Sequence, residues 1–392
     1  MLSRIDLNQN SPVNHFELSI KEHDEKFILV DSPTIDTAFL IIRLVNYING
    51  ENIQYLFKTD DNGRHLVTFD PHLESLLKYP MDLCGLADSN LTSEHIDVLF
   101  KAFWATVTPY ILDEEIYILW KAGANRIFHV YDEDTGELKS TKTAAELKNA
   151  LVYEISELVN TPEFKGIQYD RAEKSKNQHE SATKLVKRLR ALFSKLLVLR
   201  IDFCFKTENY DDISIDEIRA YFAQLIKRFH YAKALPNIVG YCWKLEFGQQ
   251  KGYHYHCIFF MDGNKYQNDA YYSEVIGQYW AKMTQNKGYY YNCHRSKVKY
   301  RNLAIGMAHH DNQEFFDNLD QVLLYICKQD QFLIDKRLLP GEIRVFQTSN
   351  PPKQRKPIGR PRKENTVTAG TRTITVSAPR KNKSVLPASK TK

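Results

Sequence analysis

Two runs with the alternation of β-strands, NIVGYCWKLEF (237–247) and YHYHCIFFM (253–261), are separated only by the turn GQQKG (248–252). A link this short cannot carry a crossover, so the two arms must be antiparallel neighbours in one sheet. Side chains two apart on a strand share a face. The first arm therefore sets Tyr241, Trp243 and Leu245 on one side and Cys242, Lys244 and Glu246 on the other. On the return arm His254 and His256 point the same way, with Tyr255 between them pointing opposite. Any fold of this chain must find a place for two adjacent imidazoles on one sheet face.

The flanking sequence supplies the rest of the sheet. LLVLRIDFCF (196–205) alternates Leu199, Ile201, Phe203 and Phe205 with Arg200, Asp202 and Cys204, as a half-buried strand does. Ser214 and Glu217 form a capping box that opens an amphipathic helix through IDEIRAYFAQLIKRFHYAK. After the hairpin come a tyrosine-rich helical stretch, DAYYSEVIGQYWAKM (269–283), and a short strand near GYYYNC. The order β-α-β-β-α-β predicts an α+β fold, a ferredoxin-like (palm-like) antiparallel sheet with helices on one face and the other face free for a site.

Charge divides the chain. Residues 351–392 hold twelve Lys/Arg against the single acidic Glu364, a formal +11. The whole chain is +5, which leaves the first 350 residues at −6. A mildly acidic body with a basic tail points to a polyanionic partner. No apolar run approaches the roughly 18 residues that span a membrane, and the first residues lack an apolar signal core. The six scattered cysteines form no C-x-x-C pair. Together these predict a cytoplasmic protein with reduced thiols and no membrane partner.

Four regions are expected: a mixed α/β region at residues 1–165, of no assigned role, with a helical pattern at 93–112; a charged linker or helix at 166–190; a catalytic domain at 191–347; and a disordered basic tail from 348.

Two elements carry chemistry. Two neutral imidazoles, with Glu246 on the adjacent arm, suit a divalent ion that polarises a substrate oxygen. The plain alternative is a pair of structural or surface histidines. Further on, VLLYICKQDQFL (322–333) has a helical pattern that sets Tyr325 and Lys328 on one face. A tyrosine oxygen can attack a phosphodiester when its surroundings activate it, and a lysine one turn on can stabilise charge or protonate the leaving oxygen. An amphipathic helix with a Tyr and a Lys is also commonplace.

KLEFGQQKGYHYHCIFFMDG and LLYICKQDQ, in this order, resemble the HUH rolling-circle replication endonucleases, and within them the inovirus-type replication initiators (the YagK/YfjJ C-terminal domain family). Tyr255 fits the bulky position between the histidines. The resemblance implies His254, His256 and Glu246 as ligands of Mg²⁺ or Mn²⁺, and Tyr325 as the nucleophile that leaves a 5′-phosphotyrosine and a free 3′-hydroxyl. Lys328 would assist at the scissile phosphate, and Asp202 would contact metal or DNA. Position 329 is Gln rather than a second tyrosine, which implies a single nucleophile. The implied partners are origin DNA, single-stranded or supercoiled, and a host helicase and polymerase, in a phage, prophage or plasmid. A relaxase or transposase with the same chemistry, and a non-catalytic DNA-binding protein on the same fold, are the competing readings.

Tyr289-Tyr290-Tyr291 reads either as a stacking platform for DNA bases or as ordinary strand core, and His309-His310 either as further metal neighbours or as a loop pair. In the tail, Arg360 and Arg362 of KPIGRPRK (356–363) read as minor-groove arginines or as a nonspecific phosphate contact.

Overall fold

The alternating run at 196–205 becomes the central strand of a six-stranded antiparallel sheet. The computed structural model describes residues 33–350 except 68–69, 80, 90, 112–115, 133–134, 206–212, 249–251, 301, 329–333 and 336–343. The basic tail, with Arg360 and Arg362, lies outside the described residues.

A long helix, α1 (Pro162–Leu192), leads into strand β1 (Lys195–Phe205). There follow α2 (Ile215–Arg228), the hairpin β2 (Gly240–Gly248) and β3 (Gly252–Asp262), α3 (Asp269–Met283) and β4 (Gly288–Asn292). Then come β5 (Gly306–His309), α4 (Gln313–Ile326) and β6 (Phe346–Thr348). In space β1 pairs with β3, β3 with β2, and β2 with β6. Both β4 and β5 pair with the other side of β1, β4 along Ile201–Phe205 and β5 along Lys195–Val198. The expected capping box at Ser214 and Glu217 is present at the start of α2.

The strand alternation decides what each face meets. Leu197, Leu199, Ile201, Phe203 and Phe205 point with Trp243, Tyr255 and Phe259 into a core closed by Ile218, Phe222 and Leu225 of α2 and Ile276 and Trp280 of α3. Tyr290 of β4 packs there too, against a glycine: a Cβ at Gly277 would fall inside its ring.

Helices cover both faces, not one. On the second face Leu196, Val198, Cys242, Ile258 and Phe260 form an apolar end that water cannot be left to cover. Leu185, Val186 and Leu189 of α1 and Phe316, Leu319, Leu323 and Ile326 of α4 close over it. Only the other end of this face remains for polar residues.

The charged stretch 166–190 is the body of one continuous 31-residue helix, about 46 Å long. Thr161 caps it and Pro162 occupies its first turn, where a missing N–H costs nothing. Its buried residues are Phe164 near the start and Ala182, Leu185, Val186 and Leu189 near the end, so the stretch between is largely polar.

The N-terminal residues build a separate helical layer from Pro33–Glu51, Glu94–Thr106 and Ala144–Val159, with an antiparallel hairpin at Ile127–Tyr131 and Leu138–Thr143. Polar and backbone contacts tie it to the sheet domain. Gln168 and Arg171 of α1 bond Glu94, and the two-residue strand Ile334–Asp335 pairs with Leu91–Thr92. No disulfide joins the six cysteines, five of which are buried. Among the described residues no helix is long and apolar enough to cross a membrane.

Candidate functional site

The hairpin register sets the polar residues in rows across the open end of the second face. Tyr291, Asp202, His256 and Lys244 lie opposite one another on β4, β1, β3 and β2, and Tyr289, Cys204, His254 and Glu246 form the next row. Directly opposed residues of an antiparallel pair share a face. Tyr255, between the histidines, points to the other side and stacks flat on Phe222, ring centroids 3.7 Å apart, with Trp243 edge-on. The bulky residue of the His-x-His motif thus anchors the strand that carries both imidazoles.

The imidazoles are 6% and 5% exposed and are oriented through their outer nitrogens. His254 Nδ1 lies 2.9 Å from the Gly252 carbonyl, and His256 Nδ1 lies 2.9 Å from Asp202 Oδ1. Both Nε2 atoms are therefore turned inward, 3.1 Å apart, with Glu246 Oε2 3.4 Å from that of His256. Among the described residues Glu246, His254 and His256 are the one group of this kind with donor atoms all within 4.8 Å of one another.

These residues fit a divalent ion. Cis ligands at about 2.1 Å from an octahedral ion lie about 3 Å apart, close to the spacing of the two Nε2 atoms. A metal-binding histidine ordinarily gives its other ring N–H to a carboxylate or a backbone carbonyl, and here one histidine faces each kind.

The electrostatics are those of a tight charge cluster. Burial pushes the Glu246 carboxyl up, but the hydrogen bond and charge of His256, with Lys244 and His254, outweigh it and hold it well below the usual carboxylate range. Burial disfavours charge on His256, yet Asp202 and Glu246 raise its pKa above the ordinary value.

Asp202 is 1% exposed, behind His256. Asp202, expected to contact metal or DNA, is shut away from solvent, with its Oδ1 2.9 Å from His256 Nδ1 and 3.9 Å from Arg200 Nε. Asp202→Asn is expected to weaken Mn²⁺ binding about 10–100-fold while the protein stays folded. Calorimetric titration of the variant checks this, and unchanged affinity would remove Asp202 from the site.

Two residues not singled out in the sequence belong here. Arg200, 3% exposed, sets its Nε 3.9 Å from Asp202 Oδ1, and its backbone N–H donates to His294 Nε2. His294 is in turn held by Asp269. Lys244 sets its Nζ 3.8 Å from Glu246 and donates to the carbonyl of Lys328. Both lie on the face that the alternation assigned to Asp202 and Glu246, and that was the available signal.

Helix α4 ends at Ile326 with Cys327 as its C-cap, short of the 322–333 span the pattern suggested. Tyr325 is in its last turn. Lys328 lies past the end, yet its backbone N–H donates to the Tyr325 carbonyl and its ammonium sits 4.4 Å from the Tyr325 ring centroid, so the last turn preserves the expected neighbourhood. Burial pushes the Tyr325 phenol up, against the opposing charges of Lys328 and Arg200, while Glu246 adds to the rise. Tyr325 is thus within electrostatic reach of the polar cluster. Position 329 is among the residues not described.

His309 and His310 are not part of this site. His309 pairs with Lys195, seven residues and about 23 Å along β1 from Asp202.

Residues 163–339 match the family model of the YagK/YfjJ C-terminal domain, a span that takes in nearly all of α1, strands β1 to β5 and α4. No curated protein and no solved structure gives a significant match to the chain.

Proposed function

We propose that this protein is a metal-dependent, HUH-type endonuclease that nicks and rejoins one DNA strand, initiating rolling-circle replication of a phage, prophage or plasmid. The observation that carries the reading is the inward convergence of two histidine Nε2 atoms and Glu246, each histidine braced through its Nδ1. The strand order β4-β1-β3-β2 supports the ferredoxin-like, palm-like reading of the sheet. The narrower assignment to inovirus-type initiators rests on the resemblance of the His-x-His hairpin and the Tyr325-x-x-Lys328 segment.

In this reading His254, His256 and Glu246 hold Mg²⁺ or Mn²⁺, which when bound polarises the scissile phosphate. Asp202 and the Gly252 carbonyl keep both ligand nitrogens aimed. The Tyr325 oxygen attacks phosphorus, the P–O3′ bond breaks, and the phenolic proton is released. Lys328 steadies the developing charge and can return a proton to the departing 3′ oxygen. The products are a 5′-phosphotyrosine and a free 3′-hydroxyl that primes synthesis. Rejoining is the same exchange in reverse. Host helicase and polymerase then act on the opened strand, and the basic tail with Arg360 and Arg362 supplies attraction to DNA.

The test uses single strands from the replicon, end-labelled and incubated with Mn²⁺. A 3′ label is expected to move onto the protein in denaturing gels, and a 5′ label to leave as a shortened strand. Binding without label transfer would instead favour a non-catalytic DNA-binding protein.

A further inference from the structure

The tyrosine triplet on β4 is split by the sheet. Tyr290 opposes Phe203 and turns into the core, where its hydroxyl donates to Glu274 at 2.5 Å. Tyr289 opposes Cys204 and Tyr291 opposes Asp202, so both lie on the face that carries His254 and His256. Both are only partly buried. Among the described residues strand β4 pairs only with β1, so this pair of rings lies at the margin of the site face.

Their surroundings fit a nucleic acid strand. The first 350 residues are net acidic, yet residues 287–301, KGYYYNCHRSKVKYR, carry five Lys/Arg and no Asp/Glu. Arg295 pairs with Glu274 and Lys297 with Asp269, which fixes these cations beside the strand. The rings stand two strand spacings, about 10 Å, from the histidine pair. That is roughly three nucleotides at the 3.4 Å spacing of stacked bases, and fewer when a strand is extended. Burial, with Cys204 and Asp202 beside it, pushes the Tyr289 phenol up, so it stays neutral. What the two rings offer is their π-faces.

We propose that Tyr289 and Tyr291 form a stacking platform for unpaired bases, holding a single DNA strand next to the phosphate that reaches His254 and His256. The strand's placement rests on the nicking reading above; the binding itself does not. A platform of this kind accepts any base but requires it unpaired, so it selects single-stranded over duplex DNA without reading sequence.

The test measures binding of the full chain to a short mixed-sequence single strand carrying 2-aminopurine, and to the matching duplex. The parent is expected to prefer the single strand and to quench 2-aminopurine on binding. Tyr291→Ala and Tyr289→Ala should each weaken single-strand binding about tenfold or more and lose the quenching. Tyr291→Phe and Tyr289→Phe should retain both, because the ring survives. A parent that binds no single strand, or alanine variants that bind and quench like it, would overturn the proposal whether or not the protein nicks. If the phenylalanine variants fail along with the alanine variants, the hydroxyls rather than the rings matter and stacking is excluded. If the platform behaves as expected but no covalent adduct ever forms, the nicking reading fails and the platform stands.

Discussion

Tyr325→Phe is expected to abolish the covalent protein–DNA adduct and to lower strand nicking by on the order of 10³-fold or more. The change removes one oxygen and keeps the ring. That ring carries the contact with the Lys328 ammonium, and it packs beside the helix stripe that closes the second core. The variant should therefore melt close to the parent and still bind DNA. Loss of the adduct with folding and binding intact isolates the oxygen as the attacking group. An adduct of parental yield would assign the nucleophile elsewhere.

His256→Ala is expected to have the second largest effect, in two separable ways. Removing a ligand should weaken Mn²⁺ binding by more than about 100-fold, beyond the effect expected for Asp202→Asn. It also strands Asp202, a carboxylate with 1% exposure, without the imidazole it faces. Removing one partner of a buried pair costs about 3–5 kcal/mol, and Arg200 at 3.9 Å places this case near the lower end. His254→Ala should match it in lost metal affinity but cost less stability, because the outer nitrogen of His254 faces only a backbone carbonyl. Titration with Mn²⁺ and thermal melts in chelator separate the two effects. If both variants bind Mn²⁺ like the parent, the histidine pair is structural.

The same cluster sets a pH dependence in metal-free protein. The folded pKa of His256 is raised, so its contribution is complete below its unfolded value near 6.5 and is lost as pH rises through the folded one. The folded pKa of Glu246 is depressed, so its contribution is present above its usual value near 4.3 and is lost as pH falls through the folded one. Metal-free parent should thus lose stability on the alkaline side, and His256→Ala should flatten that loss.

Much of the site was legible because a strand has a period of two. Alternation placed Asp202, Glu246 and the two histidines each on one side of its own strand, and the register then sets Asp202 opposite His256 and Glu246 opposite His254. Period does not say what lies over a face. Arg200 and Asp202 read as a polar, open surface, yet they are 3% and 1% exposed because the β4 strand and the segment after it close the margin around them. The helices of the second layer were missed for a related reason. Only five of the 31 residues of α1 are buried, so its sequence reads as a charged linker until the sheet supplies a partner for Leu185 and Leu189. The helical pattern places Lys328 one turn after Tyr325 but does not mark where α4 ends; the helix stops at Ile326, and the tight turn in which Lys328 N–H donates to the Tyr325 carbonyl keeps the two side chains together.

The most direct test of the central claim is to digest the adduct formed on a cleaved single strand and to identify the linked peptide by mass spectrometry. The account predicts one nucleotide-bearing peptide, containing Tyr325, joined through a 5′-phosphate and formed only when a divalent metal is present. A link to any other residue, a 3′-phosphate link, or an adduct that forms equally well in chelator would contradict it.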